Sequence, residues 1–304
     1  MIRETMARDK DKTMTYKVNP ILTNHFVLTL RSISKFLSPG LLAIIILLIL
    51  ALSAPYLTPY DPIGANLSEP MHPPSWDHPF GTDHLGRDLY SRVLYGTRVS
   101  LLVGMSASVM AVGMGGLIGL FSGYFGGRMD SILMRLVDTI YSPPETILLM
   151  VLVTMFTRSV WTIILAIGLT HWMSTARLVR SEALSIRQRP YVESAICLGA
   201  KDGYILLRHI APNLLYIAVI SVTLMTAHAI LTESFLSFLG LGIPPHLPSW
   251  GNMLNEGQRD IMRGIWWTTL FPGLMIVITV LSINLLGEDL KRRLAPNREG
   301  GIAL

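Results

Sequence analysis

Apolar residues in this chain come in long runs rather than at the spacing of a half-buried soluble element. Six runs stand out: residues 37–57, 100–122, 138–156, 160–176, 214–231 and 265–286. Each is about long enough to cross a hydrocarbon core at ~1.5 Å per helical residue. The pattern predicts an all-α polytopic membrane protein with six transmembrane helices in one domain over 37–290. The third run is interrupted by Pro143-Pro144 and the sixth by Pro272. Proline removes a backbone donor, so these breaks predict kinks whose freed carbonyls are satisfied by neighbouring helices or a cavity.

The polar segments carry the rest of the organisation. Residues 1–36 form a basic N-terminal tail and 291–304 a C-terminal tail, and 58–99 make a long outer loop rich in Pro, Asp and His. Between the fourth and fifth runs lies YVESAICLGAKDGYILLRHIAPN, which reads as two short helices around Gly199. Ser194, Ala195, Gly199 and Ala200 are small enough for the two arms to close on each other, and Gly199 suits the turn. Pro212 is expected to restart the chain into the fifth span. Within the second run, Ala107, Ala111, Gly115, Gly119 and Gly123 recur every fourth residue. This places one bulk-free stripe on a helix face, the signature of close helix packing in lipid rather than of a ligand site.

Composition agrees. The chain has 304 residues, 51% hydrophobic and 15% charged, against about 25% charged in a soluble domain. The net charge of +5 does not imply nucleic acid, because the basic residues are distributed by topology. With the N-terminus inside, 19 of the 25 Lys and Arg fall in cytoplasmic segments and 6 in outer ones. The positive-inside bias therefore predicts both termini, and the 191–212 hairpin, on the cytoplasmic side. The single cysteine, Cys197, excludes an intrachain disulfide. The chain has no G-x-x-x-x-G-K-[ST], H-E-x-x-H or G-x-S-x-G motif, so no catalytic residue is assigned and no means of hydrolysing ATP by itself is expected.

Ionisable residues inside spans are costly and mark candidate pathway positions. Glu145, His228 and Glu233 are the candidates, each with burial against a partner as the plain alternative. His171 lies beside Trp172 in the fourth run, and Asn284 in the sixth is expected to make an interhelical hydrogen bond. Arg135 and Asp138 can pair across one turn of an interfacial helix over 130–141. His72, His78 and His84 recur every six residues, a spacing that suits no single face, and no metal site is read from the sequence.

Four segments carry a family resemblance: GTDHLGRDLYSRVLYGTRVSL (81–101), GYFGGRMDSILMRLVD (123–138), the hairpin, and SFLGLGIPPHLPSWGNML (237–254) with FPGLMIVITVLSINLLGEDL (271–290). Together they resemble the inner-membrane permease subunits of ABC importers of the peptide/nickel group, second-permease type. The hairpin resembles the coupling motif E-A-A-x3-G-x9-I-x-L-P, with Glu193-Ser194-Ala195, Gly199 and Pro212 in place. Ser194 departs from Ala, and His209 and Ala211 from Ile and Leu. Ala295-Pro296 stands where the family often has Asp-Pro.

The resemblance implies the type I importer permease fold. It implies that Glu193, Ser194, Ala195, Gly199 and Ala200 couple to an ATPase. The implied partners are a second permease, two ATPase subunits that hold ATP and Mg, an extracytoplasmic binding protein and the lipid of a bacterial or archaeal cytoplasmic membrane. No cofactor is implied on this chain. The cargo reads as di- or oligopeptides, with nickel or a metal chelate as the alternative; residues 170–195 and His228 are similar to the nickel branch. An ion-gradient-driven secondary transporter is the reading from another class. It predicts an internal inverted repeat, and none is evident.

Overall fold

The computed structural model describes residues 38–294. The sequence expectations for the N-terminal tail and for Ala295-Pro296 lie outside the described residues. The elements described are helical, apart from an isolated bridge between Thr82 and Asp88. In chain order they are α1 (Pro39–Leu57), α2 (Leu89–Phe125), α3 (Gly127–Tyr141), α4 (Glu145–Met155), α5 (Val160–Arg187), α6 (Pro190–Cys197), α7 (Asp202–Ile205), α8 (Ala211–Phe238), α9 (Trp250–Ile261) and α10 (Trp267–Leu294). Five stretches are long and apolar enough to cross a membrane: α1, α2, α5, α7 through α8, and α10. The pair α3–α4 makes a sixth if it is counted as one broken span, with an 80° bend.

That bend falls at Ser142-Pro143-Pro144. Alone, the 11 residues of α4 reach about 17 Å, well short of a ~30 Å hydrocarbon core. The third run is therefore not a kinked helix. It takes in the last turn of the amphipathic α3 and the whole of the short apolar α4, on either side of the bend. α3 is held by its polar face. Asp130 accepts from Ser122 and from the Arg180 guanidinium, and Asp138 from Arg177 at 2.8 Å. The expected Arg135–Asp138 pair is thus replaced by a cross-helix one, because α5 presents Arg177 to the same face.

The bundle is built around α2. A Cβ added at Gly115, Gly119 or Gly123 would lie 2.3, 2.4 or 2.6 Å from the carbonyl oxygens of Trp172, Ala176 and Arg180 respectively. The stripe thus brings the α2 and α5 backbones to a distance only glycine permits, repeated every fourth residue on both helices. Towards the other end, Gly104 admits Ile230 of α8, and Ser108 bonds Thr226 at 2.8 Å. Gly113 and Gly116 face open space instead. Asn284 is exposed on α10, whose buried face carries Thr279, Ile283 and Gly287. The expected interhelical bond is absent within the described residues because Asn284 falls on the opposite side of the helix.

Several helices outlast their apolar runs. α2 begins at Leu89, eleven residues before the second run, because Asp88 caps it: its carboxylate accepts the Ser91 N–H at 2.8 Å. The charges of this extension are buried rather than solvated. Asp83 accepts from Arg87 Nε at 2.6 Å and Arg92 Nη1 at 2.8 Å, and Glu256 of α9 lies 2.8 Å from Arg87 and 3.0 Å from Arg92. Burial pushes the Glu256 carboxyl up, and the Arg87 charge pulls it back down. The GTDHLGRD segment is therefore a structured corner that ties the 58–88 loop to α2 and α9. Trp267 Nε1 adds α10 by donating to Thr82 O at 3.1 Å.

Replacing Asp83 by Asn leaves two buried guanidiniums with one carboxylate. Breaking a buried pair from one side costs about 3–5 kcal/mol. D83N is therefore expected to lower the thermal midpoint of the purified protein sharply, whereas D77N, at an exposed loop position, leaves it in place. Equal midpoints for the two variants would contradict a structural role for the corner.

Candidate functional site

Two regions concentrate chemistry that the packing alone does not use. The first is the hairpin. α6 opens on Pro190, whose fixed φ and missing N–H suit a first helical position. It ends in a Schellman motif: Ala200 N–H donates to Ala195 O at 3.1 Å and Gly199 N–H to Ile196 O at 2.9 Å, with Gly199 at φ 80°. A Cβ at Gly199 would meet nothing, so the glycine is there for its backbone and not for close packing of the two arms. Ser194 bonds back to Pro190 O at 2.7 Å and is exposed, while Ala195 and Ala200 are half-buried.

The second arm is not a separate short helix. α7 continues through a π turn at Leu206–Ile210 into α8, and 202–238 forms one stretch of 37 residues. The turn has a local cause. Pro212 cannot donate to the Arg208 carbonyl, and Ala211 N–H bonds Leu206 O instead, in the i→i−5 register. Pro212 therefore loosens one turn of a continuous helix and does not restart the chain.

The base of the hairpin is rigid. Val192, Ile205 and Ile210 are buried in one cluster with Tyr124 of α2 and Val179, Ala183 and Ile186 of α5. Tyr124 Oη donates to Asp202 at 2.6 Å. Beside the Gly199 turn, Leu198 is 88% exposed, and Leu207, in the π turn of the second arm, is 76% exposed. Glu193 is exposed beside the buried Val192.

The second region lies within the spans. Glu145 is the first residue of α4, His171 sits mid-way along α5, and His228 lies on α8. His171 Nε2 is 3.1 Å from Glu145 Oε1, and the two imidazole centroids are 5.0 Å apart. His171 is buried, Glu145 half-buried and His228 exposed. The face of α8 that carries His228 also exposes Leu224, Leu231 and Phe235.

Glu233 is placed elsewhere. It is fully buried and accepts from Ser237 Oγ at 2.7 Å, one turn on along the same helix. The sequence candidates thus divide. Glu145 and His228 converge, His171 joins them, and Glu233 belongs to a separate hydroxyl-lined pocket of the core. Only the packing of α4, α5 and α8 assembles the triad. The sequence signal for His171 is a titratable side chain next to Trp172 inside an apolar run.

Comparison with known proteins places this architecture. Residues 115–299 match the family described as binding-protein-dependent transport system inner membrane component. The chain is 39% identical over 263 residues to the dipeptide transport system permease protein DppC of Bacillus subtilis, covering 86% of this chain and 82% of that one. It is 36% identical over 296 residues to the oligopeptide transport system permease protein OppC of the same organism, covering 97% and 96%. Among solved structures, an inward-facing conformation of the MetNI methionine ABC transporter superposes with a TM-score of 0.55 at 15% identity, over 67% of this chain and 97% of that one. At that identity the likeness speaks to the fold alone, which is that of an ABC importer permease.

Proposed function

The chain belongs to the binding-protein-dependent transport system inner membrane components, and on that footing we propose that it forms one half of the translocation pathway of an ATP-driven importer of di- and oligopeptides. The observation that carries the proposal is the hairpin: a rigid, buried base, with Leu198 beside the Gly199 turn left 88% accessible. Large apolar side chains kept in the open on a stiff mount are interface groups. Through them an ATPase subunit would push on α8 and, by way of Tyr124, on α2. Glu193, Ser194, Ala195, Gly199 and Ala200 form the coupling element in this reading.

The uncovered face of α8 supports the pairing. A histidine directed at lipid is costly, so the face holding His228 is covered by a second permease or lines the aqueous path between two permeases. A binding protein delivers peptide on the outer side, where the Asp83 corner stiffens the loop. Both termini and the hairpin face the cytoplasm of a bacterial or archaeal cell.

Reconstitution with the cognate permease, ATPases and binding protein is expected to give ATP-dependent accumulation of labelled peptide. Accumulation that persists without the ATPases under an imposed ion gradient would instead identify a secondary transporter. For the topology, a reporter fused at residue 75 is expected to signal from the outer side, and a cytoplasmic signal there would invert the arrangement.

A further inference from the structure

The Glu145–His171–His228 triad contains an electrostatic conflict. His171 Nδ1 lies 3.0 Å from the carbonyl oxygen of Ile167, one turn earlier on α5, and 2.9 Å from Thr170 Oγ1. A carbonyl can only accept, so Nδ1 carries the proton and the ring is held as that tautomer. Nε2 then presents a bare lone pair, and 3.1 Å away it meets Glu145 Oε1, also an acceptor when ionised. Two lone pairs at that distance repel unless a positive charge lies between them. Among the described residues, neither ring nitrogen of His228 has a hydrogen bond, and one ligand atom from each of the three side chains falls within 4.8 Å of the others.

We propose that this triad is a binding site for a first-row transition-metal dication, held by Glu145, His171 Nε2 and His228. The donor set and spacing select this class of ligand. Imidazole nitrogen with one carboxylate suits Zn2+, Ni2+ and Co2+, whereas Mg2+ and Ca2+ take oxygen ligands. Two ligands bound at about 2.05 Å lie ~2.9 Å apart at a right angle and ~3.4 Å apart at the tetrahedral angle. The observed 3.1 Å falls between these. The backbone carbonyl on Nδ1 is the outer partner that orients a metal-ligating histidine. His228, exposed, completes the set by a side-chain rotation and leaves further coordination positions open towards the uncovered face of α8.

The site has a structural consequence as well. Glu145 starts α4 directly after the Pro143-Pro144 break, so a bound ion ties the start of α4 to α5 and α8. Binding of the ion does not depend on the cargo proposed above, and it is measured without transport.

The test uses the assembled transporter in lipid nanodiscs, titrated with Co2+ and read by its visible d–d absorption, with Ni2+ competition as a second readout. The wild type is expected to bind one more equivalent per copy of this chain than H228Q does. E145Q and H171Q are expected to weaken that equivalent at least tenfold, since even loss of an outer-shell partner costs about 10–100-fold in affinity. H228Q alters a side chain outside the core of this chain, so it leaves the fold of this chain intact whatever the buried variants do. H246Q, at an exposed outer-loop histidine, should retain the full spectrum. Identical titrations for wild type and H228Q would overturn the proposal. So would a wild type that shows no Co2+ bands, which would mean the Glu145–His171 contact is bridged by a proton alone.

Discussion

E193K is expected to abolish peptide uptake while leaving the protein folded and at its normal level in the membrane. The two halves of this result have separate causes. Glu193 is exposed on the first turn of α6, and its neighbour Val192 is the residue buried in the base. A carboxylate at a helix N-terminus contributes only about 0.3–1 kcal/mol at an exposed site, so losing it does not unfold the bundle. The surface proposed to meet the ATPase, however, changes sign near the exposed Leu198. A misplaced charge at such an interface costs several kcal/mol, and every 1.4 kcal/mol is tenfold in occupancy. Uptake should fall well over tenfold, with membrane level and thermal midpoint unchanged. V192D is the contrasting variant and should fail by misfolding. If E193K transports at the wild-type rate, the hairpin is not where the ATPase acts.

G119V is expected to destroy the bundle itself. At Gly119 a Cβ would lie 2.4 Å from Ala176 O, 2.9 Å from Val179 Cβ and 3.0 Å from Arg180 N. Two of these are backbone atoms, which cannot rotate away, so α2 and α5 must separate. Overpacking a core by a few methylenes ordinarily costs about 1–3 kcal/mol. Here the separation would also open the contacts at Gly115 and Gly123 above and below, so the upper end of that range or beyond is expected. The readout is loss of protein from the membrane fraction and a lowered midpoint in detergent. G113V, on the same helix with nothing within 4 Å of its Cβ, is the matched control and should accumulate normally. Equal levels of the two variants would mean the stripe does not set the helix spacing.

Hydropathy locates the spans well because burial in lipid demands apolar runs. It reports less faithfully where helices end. The N-terminal end of α2 carries Arg87 and Arg92 just before and inside the helix, and their charges are met by Asp83 and by Glu256, more than 160 residues away. No local window contains that partner. Pro143-Pro144 were legible as a break, but neither its 80° depth nor the pairing of Asp130 and Asp138 with Arg180 and Arg177 of α5 lies within a local window. Asn284 shows the converse limit: a polar residue in a span has a side, and the face it takes is set by how α10 packs. Glu145, His171 and His228 were each noticeable alone, but their convergence is a property of three helices together. Glu233, five residues from His228, falls on another face of α8, in keeping with the poor fit of that spacing to one side of a helix.

α2 runs unbroken for 37 residues, about 55 Å, nearly twice the thickness of the hydrocarbon core. Its N-terminal end is clamped at Arg92 by Asp83 and Glu256, and its C-terminal end is gripped at Tyr124 by Asp202 at the start of the hairpin's second arm. A helix of this length, packed on close glycine contacts from Gly96 to Gly123, is expected to move as one stiff lever. A tilt of about 10° around its centre carries each end roughly 5 Å in opposite directions. The two faces of the membrane then share a single mechanical coordinate, and a push on one rim is felt as an opposite displacement at the other.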